Sequence, residues 1–366
     1  MKTERLIYLL PVAIIALLLI VLHRSNITVE KLTDYNKIIL PAELKQRLLT
    51  DTESELLYVD YHNKKLQYYF ISKNEVRVRL MLRTMQKLIV SLRYSLPEGH
   101  YLAVLHDGAH HTYAVPVLAF ATKQEFLDSD EVVLIPDPFA TKGYSNTFRS
   151  IDASLRKHPW RKKIAKVFFR GSAYGAGYEN NDLNGAPRLR FMNYASTLEL
   201  ADVGFTDYTQ QFNPEFKSRL AAVHKLKPEV SPADSLAYKY LIDVDGNTCS
   251  FARMAWILYS NSLVMKHASN KVQWYYSQMQ PFVHYIPIKE DFSDLYAQYI
   301  WAEAHPRMAE RIAKNGRKLA SRVFRYENIL ESYARAFNHY HALTLGFAEA
   351  QPNNAYLGAE QLSSSG

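Results

Sequence analysis

Cysteine is almost missing from this chain: Cys249 is the only one in 366 residues, so no disulfide can close within it. That usage is compatible with a reducing compartment. Long Lys/Arg blocks are also lacking. The balance of 44 Lys+Arg against 36 Asp+Glu leaves a formal net charge of +8, which favours acidic partners: nucleic acid, an anionic lipid surface or phosphorylated small molecules. Without a basic block the nucleic-acid option has no motif behind it, and no nucleic-acid partner is expected. No internal repeat is present. What remains is a globular composition, 48% hydrophobic and rich in Tyr (26) and Phe (17), which suits a cleft more than a charged scaffold. The length is large for one core and predicts two domains.

The N-terminus carries the clearest compositional signal. Leu6 to Leu22 is an uncharged run of seventeen residues flanked by Lys2 and Arg5 on one side and His23 and Arg24 on the other. It is just long enough to span a bilayer. A secretory signal peptide is the rival, but the run exceeds a usual apolar core and no small-x-small cleavage site precedes Ser25. An uncleaved single-pass anchor over residues 1–25 is preferred, with membrane contact through that helix. Positive residues nearly balance across it, so topology stays open.

Beyond the anchor, residues 26–98 read as mainly helical, with "RVRLMLRTMQKLIVSLRYSL" setting apolar residues at helical spacing between basic ones. Two strand-like runs follow, 100–107 and 131–138, each closing on an aspartate, Asp107 and Asp137. Carboxyl ends of strands are where open α/β sheets bind ligands. A basic connecting helix near 150–165 marks the domain boundary, giving an N-terminal domain at 26–160 and a second at 161–300. From 166 onward strands and helices alternate, which predicts a parallel sheet covered on both faces. Long amphipathic helices at 301–345 are expected to pack across both domains, and the polar segment 346–366 reads as a disordered tail.

Two turns have the chemistry of anion sites. In "KVFFRGSAYGAG" (166–177) a short strand breaks at Gly171, offering Arg170, Ser172 and backbone N–H groups. In "YLIDVDGNTCSFARMAW" (240–256) a strand turns through Gly246 into a helix beginning near Thr248 to Ser250, with Arg253 one turn in. Two such turns in one sheet suggest a diphosphate. Asp243-Val244-Asp245 also spells the D-x-D of metal-dependent sugar-nucleotide enzymes, although Asp245-Gly246-Asn247 makes a tight turn without any metal. His106, His110 and His111 lack a usual zinc spacing.

The blocks "KVFFRGS", "YKYLIDVDGNTCS", "ILYSNSLVMK", "FVHYIPIKEDFSDL" and "IAKNGRKLA", in this order, resemble glycosyltransferase family 90 over residues 100–340. That family includes lipopolysaccharide-modifying enzymes, capsule-associated xylosyltransferases and protein O-glucosyltransferases. The resemblance implies an α/β fold of GT-B type, two facing Rossmann-like domains, with the nucleotide-sugar donor held mostly by the C-terminal one. It also implies inversion with no obligatory metal and no cofactor. Arg170, Gly171 and Ser172 fall on the family's R-G-S donor loop, and Gly246, Asn247, Thr248 and Ser250 on its G-N-T-x-S turn. His284, Tyr285, Pro287, Asp291, Asp294 and Leu295 fall on a third block. Relatives place an arginine two residues after that serine; here Ala252 stands there and Arg253 follows. Asp107 takes the position of the catalytic base, without the proline that usually follows it.

On the residues themselves, His284 and Tyr285 read as structural, Asp291 and Asp294 as caps of a helix starting near Ser293, and Trp256, Trp274 and Trp301 as core. The expected function is transfer of a glucose- or xylose-type sugar from a nucleotide-diphosphate donor, a UDP-sugar by preference, to a glycan or lipid-linked glycan such as lipopolysaccharide core. The expected location is a bacterial inner membrane with the catalytic part cytoplasmic. The alternatives are a protein O-glycosyltransferase in a secretory lumen and a non-catalytic glycan binder on a degenerate transferase fold.

Overall fold

The computed structural model describes residues 27–350 except 41, 51–54, 71–73, 110, 175–181, 183 and 209–212. The apolar run at 6–22, read as an anchor, lies outside them. Among the described residues no helix is long and apolar enough to cross a membrane. The chain is α/β and divides into two compact units: Met1–Phe120 with Glu125–Ile135 and Leu330–Gly366, and Ala121–Gln124 with Pro136–Ile329.

The first unit is built on a six-stranded sheet in the order β1-β3-β2-β4-β5-β7. Its strands are β1 (Thr28–Lys31), β2 (Leu56–His62), β3 (Lys65–Phe70), β4 (Gly99–Val104), β5 (Val117–Ala119) and β7 (Val132–Leu134). Residues 26–98 are therefore not mainly helical. Helices α1 (Ala42–Thr50) and α2 (Glu75–Val90) are joined by the antiparallel hairpin β2–β3. Alternation in "LLYVDYH" and "KLQYYF" builds the strands, and Asn63 and Lys64, both at positive φ (48° and 62°), make the two-residue turn that matches strand twist. The remaining strands β4, β5 and β7 run parallel. The long helix α12 (Tyr326–Ala350) packs aromatic side chains on β4: Tyr101 meets the rings of Phe337 and Tyr340 at 5.2 and 5.6 Å. The Tyr340 hydroxyl also accepts from the Leu102 N–H at 3.0 Å. The helix continues past Gly346 to Ala350, into the segment read as a polar tail, and residues 351–366 lie outside the described ones.

The second unit holds a five-stranded sheet, parallel throughout, in the order β13-β11-β10-β8-β9. These are β8 (Ile164–Gly171), β9 (Ala201–Phe205), β10 (Tyr238–Asp243), β11 (Leu263–His267) and β13 (Ile286–Ile288). Near-continuous apolar runs such as "LVM" in β11 are what a sheet buried on both faces requires. The small antiparallel pair β6 (Ala121–Lys123) and β12 (Lys271–Gln273) stands apart from it. The helices of this unit include α4 (Pro138–Lys142), α5 (Ser145–Leu155), α6 (Pro187–Ala195), α9 (Phe251–Tyr259), α10 (Leu295–Ala304) and α11 (Pro306–Val323). Between α6 and α9 come α7 (Pro214–Val223) and α8 (Pro232–Ser235), while α3 (Gln124–Asp128), which follows β6, belongs to the first unit from Glu125 on. Numbered within the unit, the strands run 2-1-3-4-5, the doubly wound order whose reversal lies between its first and third strands, β8 and β10. Ligands of such sheets bind outside the carboxyl ends at that reversal.

Candidate active site

Both anion turns of the sequence close on this reversal. Side chains alternate along β8, so Phe168 and Arg170 face one way and Phe169 and Gly171 the other. Arg170 is committed on its own face. Its guanidinium lies 4.7 Å from the Phe168 ring centre, donates to Asp202 Oδ1 at 2.7 Å and to the carbonyls of Phe169 and Asp202 at 2.9 Å. Burial pushes the Asp202 pKa up, but hydrogen bonds from Tyr238, Arg170 and Lys227 outweigh it and hold the carboxyl well below the usual range. The arginine of the R-G-S loop thus closes an ion pair of the sheet.

The positive charge on the Phe169 face comes from two other arginines. Arg253, in the first turn of α9, lies 4.5 Å over the Phe169 ring and donates to the Arg170 carbonyl. Arg188, in the first turn of α6, lies 5.9 Å from the same ring and donates to the carbonyls of Ser172 (3.1 Å) and Val244 (3.3 Å). Burial, reinforced by the like charge of Arg188, lowers the Arg253 pKa to about 10, and Asp243 opposes the shift. Among the described residues Arg253 has no ion-pair partner. Gly171 leaves room for it: a Cβ there would stand 2.6 Å from Arg253 Nη2.

At the second turn the Gly246 N–H donates to the Thr248 carbonyl at 3.0 Å, and Lys271 Nζ donates to the Asn247 carbonyl at 2.8 Å. Ser250 holds the N-cap position of α9 without capping it, because its hydroxyl donates to Asp243 Oδ1. The Ser250 side chain leaves the first N–H groups of the helix uncapped, and among the described residues the buried Thr248 Oγ1 has no partner. The D-x-D carboxylates are engaged side by side, Asp243 with Ser250 and Asp245 with Ser269 Oγ at 2.6 Å. Burial lowers the pKa of Lys266 on β11, but Asp245 and Asp243 more than offset it, so this buried lysine stays charged beside them. Among the described residues no group of three His, Cys, Asp or Glu is placed to hold a metal ion.

Asp107 belongs to the first unit, just past the carboxyl end of β4. Arg77 of α2 donates to Asp107 Oδ1 at 2.7 Å and to the Leu105 carbonyl, which fixes the carboxylate at the strand end. His111 pairs with Arg47 and packs on Tyr113, while His110 lies outside the described residues. In the third block, the Gln280 N–H donates to His284 Nδ1 at 3.0 Å, and Asp291 accepts from the backbone and hydroxyl of Ser293. Asp294 occupies the N-cap position of α10, yet its Oδ1 accepts from the Lys289 N–H at 2.8 Å, so it ties the preceding turn instead of capping the helix. Trp301 packs against Phe282 and stacks on His305.

Arg188 was invisible to motif reading. Its only signal was a charged residue in the first turn of a helix following a glycine-rich loop, and the carbonyl it reaches on β10's exit is 56 residues away.

Comparison with known proteins meets the same segments. The model of "Glycosyl transferase family 90" matches residues 108–364. Protein O-glucosyltransferase 2 of Danio rerio is 31% identical over 193 residues, covering 52% of this chain and 34% of that protein. O-glucosyltransferase LpsA of Dichelobacter nodosus is 28% identical over 186 residues, covering 50% and 52%. The chain thus spans between about a fifth and a half of the curated relatives it matches. Among solved structures, HepE of Anabaena, crystallised with UDP and glucose, aligns at a TM-score of 0.38 with 10% identity, over 72% of this chain and 67% of that one. Sucrose-phosphate synthase of Thermosynechococcus elongatus aligns at 0.37 with 8% identity, over 87% and 100%. With most of its length, both anion turns included, inside the matched segment, the chain belongs to glycosyl transferase family 90.

Proposed function

We propose that the chain is an inverting glycosyltransferase of GT-B type, moving glucose or a related sugar from a nucleoside diphosphate to a hydroxyl of a glycan. The observation that carries this is the pair of guanidiniums, Arg188 and Arg253, beside the N-terminus of α9, which Ser250 does not cap, at the sheet's reversal point. A helix start and two arginines suit a diphosphate, and the charge they concentrate is most useful when the leaving diphosphate develops negative charge. Its relatives, O-glucosyltransferases of animal and bacterial origin, favour glucose.

The reaction requires a base. In the proposed step Asp107 takes the acceptor hydroxyl proton as that oxygen bonds to the anomeric carbon, and the bond to the diphosphate breaks with its electron pair leaving on the phosphate. Attack from the opposite side inverts the anomeric centre. Arg77 positions the carboxylate. Arg188, Arg253, the Thr248 hydroxyl and the N–H groups that open α9 hold the leaving group. The run at 6–22 anchors the enzyme to a membrane, which suits a lipid-linked acceptor such as a lipopolysaccharide core.

Thermal melts of the full chain with a panel of nucleoside diphosphates test the donor site. A ligand binding only the folded form at 100 times its Kd adds about 2.7 kcal/mol, so one member of the panel should raise the melting temperature visibly. No shift with any of them would remove the donor site.

A further inference from the structure

A second cluster in the same unit is left unused by the diphosphate site. Asp137 precedes α4 and is fully buried. Its Oδ1 caps that helix, accepting from the N–H groups of Phe139 at 2.9 Å and Ala140 at 3.1 Å, while the buried Oδ2 closes no hydrogen bond of good geometry among the described residues. Three further buried polar atoms, of Tyr144, Trp274 and Tyr275, likewise close no hydrogen bond of good geometry among the described residues. Their rings converge edge-on upon Phe324, with centroids 5.2, 5.9 and 4.9 Å from it. The Asp137 charge reaches both phenols, raising their pKa values further than burial alone does. The Trp274 indole draws the Asp137 pKa down without closing a hydrogen bond of good geometry.

Buried polar atoms are almost always satisfied, so four orphans within reach of one another point to something that fills them when bound. Helix capping does not account for the aspartate, because Asn or Ser caps as well and buries no charge. The set contains one charged acceptor, one N–H donor and two hydroxyls able to do either. It matches a neutral polyol and would repel an anion. It also adjoins the diphosphate turn: Tyr275 packs edge-on to Tyr276 at 5.2 Å, and both lie within electrostatic reach of Asp243 at the end of β10 and Cys249 beyond it.

We propose that Asp137, Tyr144, Trp274 and Tyr275 form the pocket for the donor's glycosyl group, with Asp137 Oδ2 accepting from one sugar hydroxyl and Trp274 Nε1 donating to another. This rests on the donor reading given above. A sugar without that hydroxyl leaves the carboxylate orphaned, so the cluster selects the donor sugar and not the nucleotide.

Calorimetric titration of the full chain tests it, using the nucleoside diphosphate that stabilises the wild type best and the glucose conjugate of that nucleotide. Asp137→Asn keeps the helix cap, and Trp274→Phe keeps the ring while removing its N–H. Each variant should bind the free diphosphate within about twofold of wild type and lose roughly tenfold or more for the conjugate, the scale of a hydrogen bond to a charged group. Equal loss for both ligands, or no loss for either, would overturn the proposal and leave the cluster to the fold or to water. Unchanged donor affinity with a raised KM for the glycan acceptor would likewise overturn it, assigning the pocket to the acceptor. If the wild type binds no nucleoside diphosphate, the donor reading falls first and this inference with it.

Discussion

Replacing Asp137 by Asn should stabilise the free protein at neutral pH. Burial raises the pKa of this carboxyl from the ordinary 3.8 to about 6, against the pull of the Ala140 and Phe139 N–H groups and the Trp274 indole. In the window between those two values the folded chain retains a proton that the unfolded chain has released, so stability falls as pH rises and stays lowered above about 6. At about 1.36 kcal/mol per unit the full cost is about 3 kcal/mol. Asn caps a helix nearly as well as Asp and carries no titration, so it removes the cost above the window and changes little below it. For a unit of this size the gain corresponds to roughly 6–12 °C in melting temperature. Melts of both proteins from pH 3.5 to 8 should diverge progressively through the window. A variant melting below wild type at pH 8, or an offset that is the same at both ends, would refute the reasoning. The same substitution is expected to weaken sugar-nucleotide binding, so this position would hold stability and function in opposition.

Other substitutions separate the arginines. Arg188→Ala should weaken nucleoside diphosphate binding about tenfold or more, whereas Arg170→Ala should cost roughly 1.5–3 kcal/mol of stability through its lost charged hydrogen bond to Asp202, which keeps Tyr238 and Lys227, and leave the diphosphate affinity nearly intact. The reverse pattern in titration and melting would return the R-G-S arginine to the donor. Gly316 of α11 lies where a Cβ would approach the His284 carbonyl to 2.9 Å and Leu258 to 3.3 Å, so Gly316→Ala should destabilise the fold by about 1–3 kcal/mol and lower the melting temperature accordingly. An unchanged melt would mean that the helix shifts freely. Because the arginines take up the leaving-group charge in the proposed step, transfer should survive strong chelation; loss of activity restored by manganese would assign the D-x-D to a metal.

What could be read in the residues divides along physical lines. The second sheet was legible because strands buried on both faces are short apolar runs, and each of "KVFF", "YLI" and "LVM" falls on one. The first unit was misread before residue 98, where a basic amphipathic helix dominated the pattern and hid a hairpin whose strands mix Tyr with Asp, Gln and Lys. Both glycine turns were visible from glycine and helix-start chemistry. Which arginines stand beside them was not, since Arg170 is turned to Asp202 by a neighbouring strand 32 residues on, and Arg188 is placed by a carbonyl beyond β10. The Asp137 cluster draws on residues 137 to 324 and becomes apparent only when the chain is folded.

The central claim is sugar transfer with Asp107 as base, and the most direct measurement compares Asp107→Asn with wild type for donor affinity and for transfer rate in one preparation. The substitution keeps the shape and the Arg77 contact but cannot accept the hydroxyl proton. Donor binding should stay within about twofold while transfer falls by a factor on the order of 10²–10⁴. Transfer at near wild-type rate by Asp107→Asn, with its melting temperature unchanged, would contradict the account.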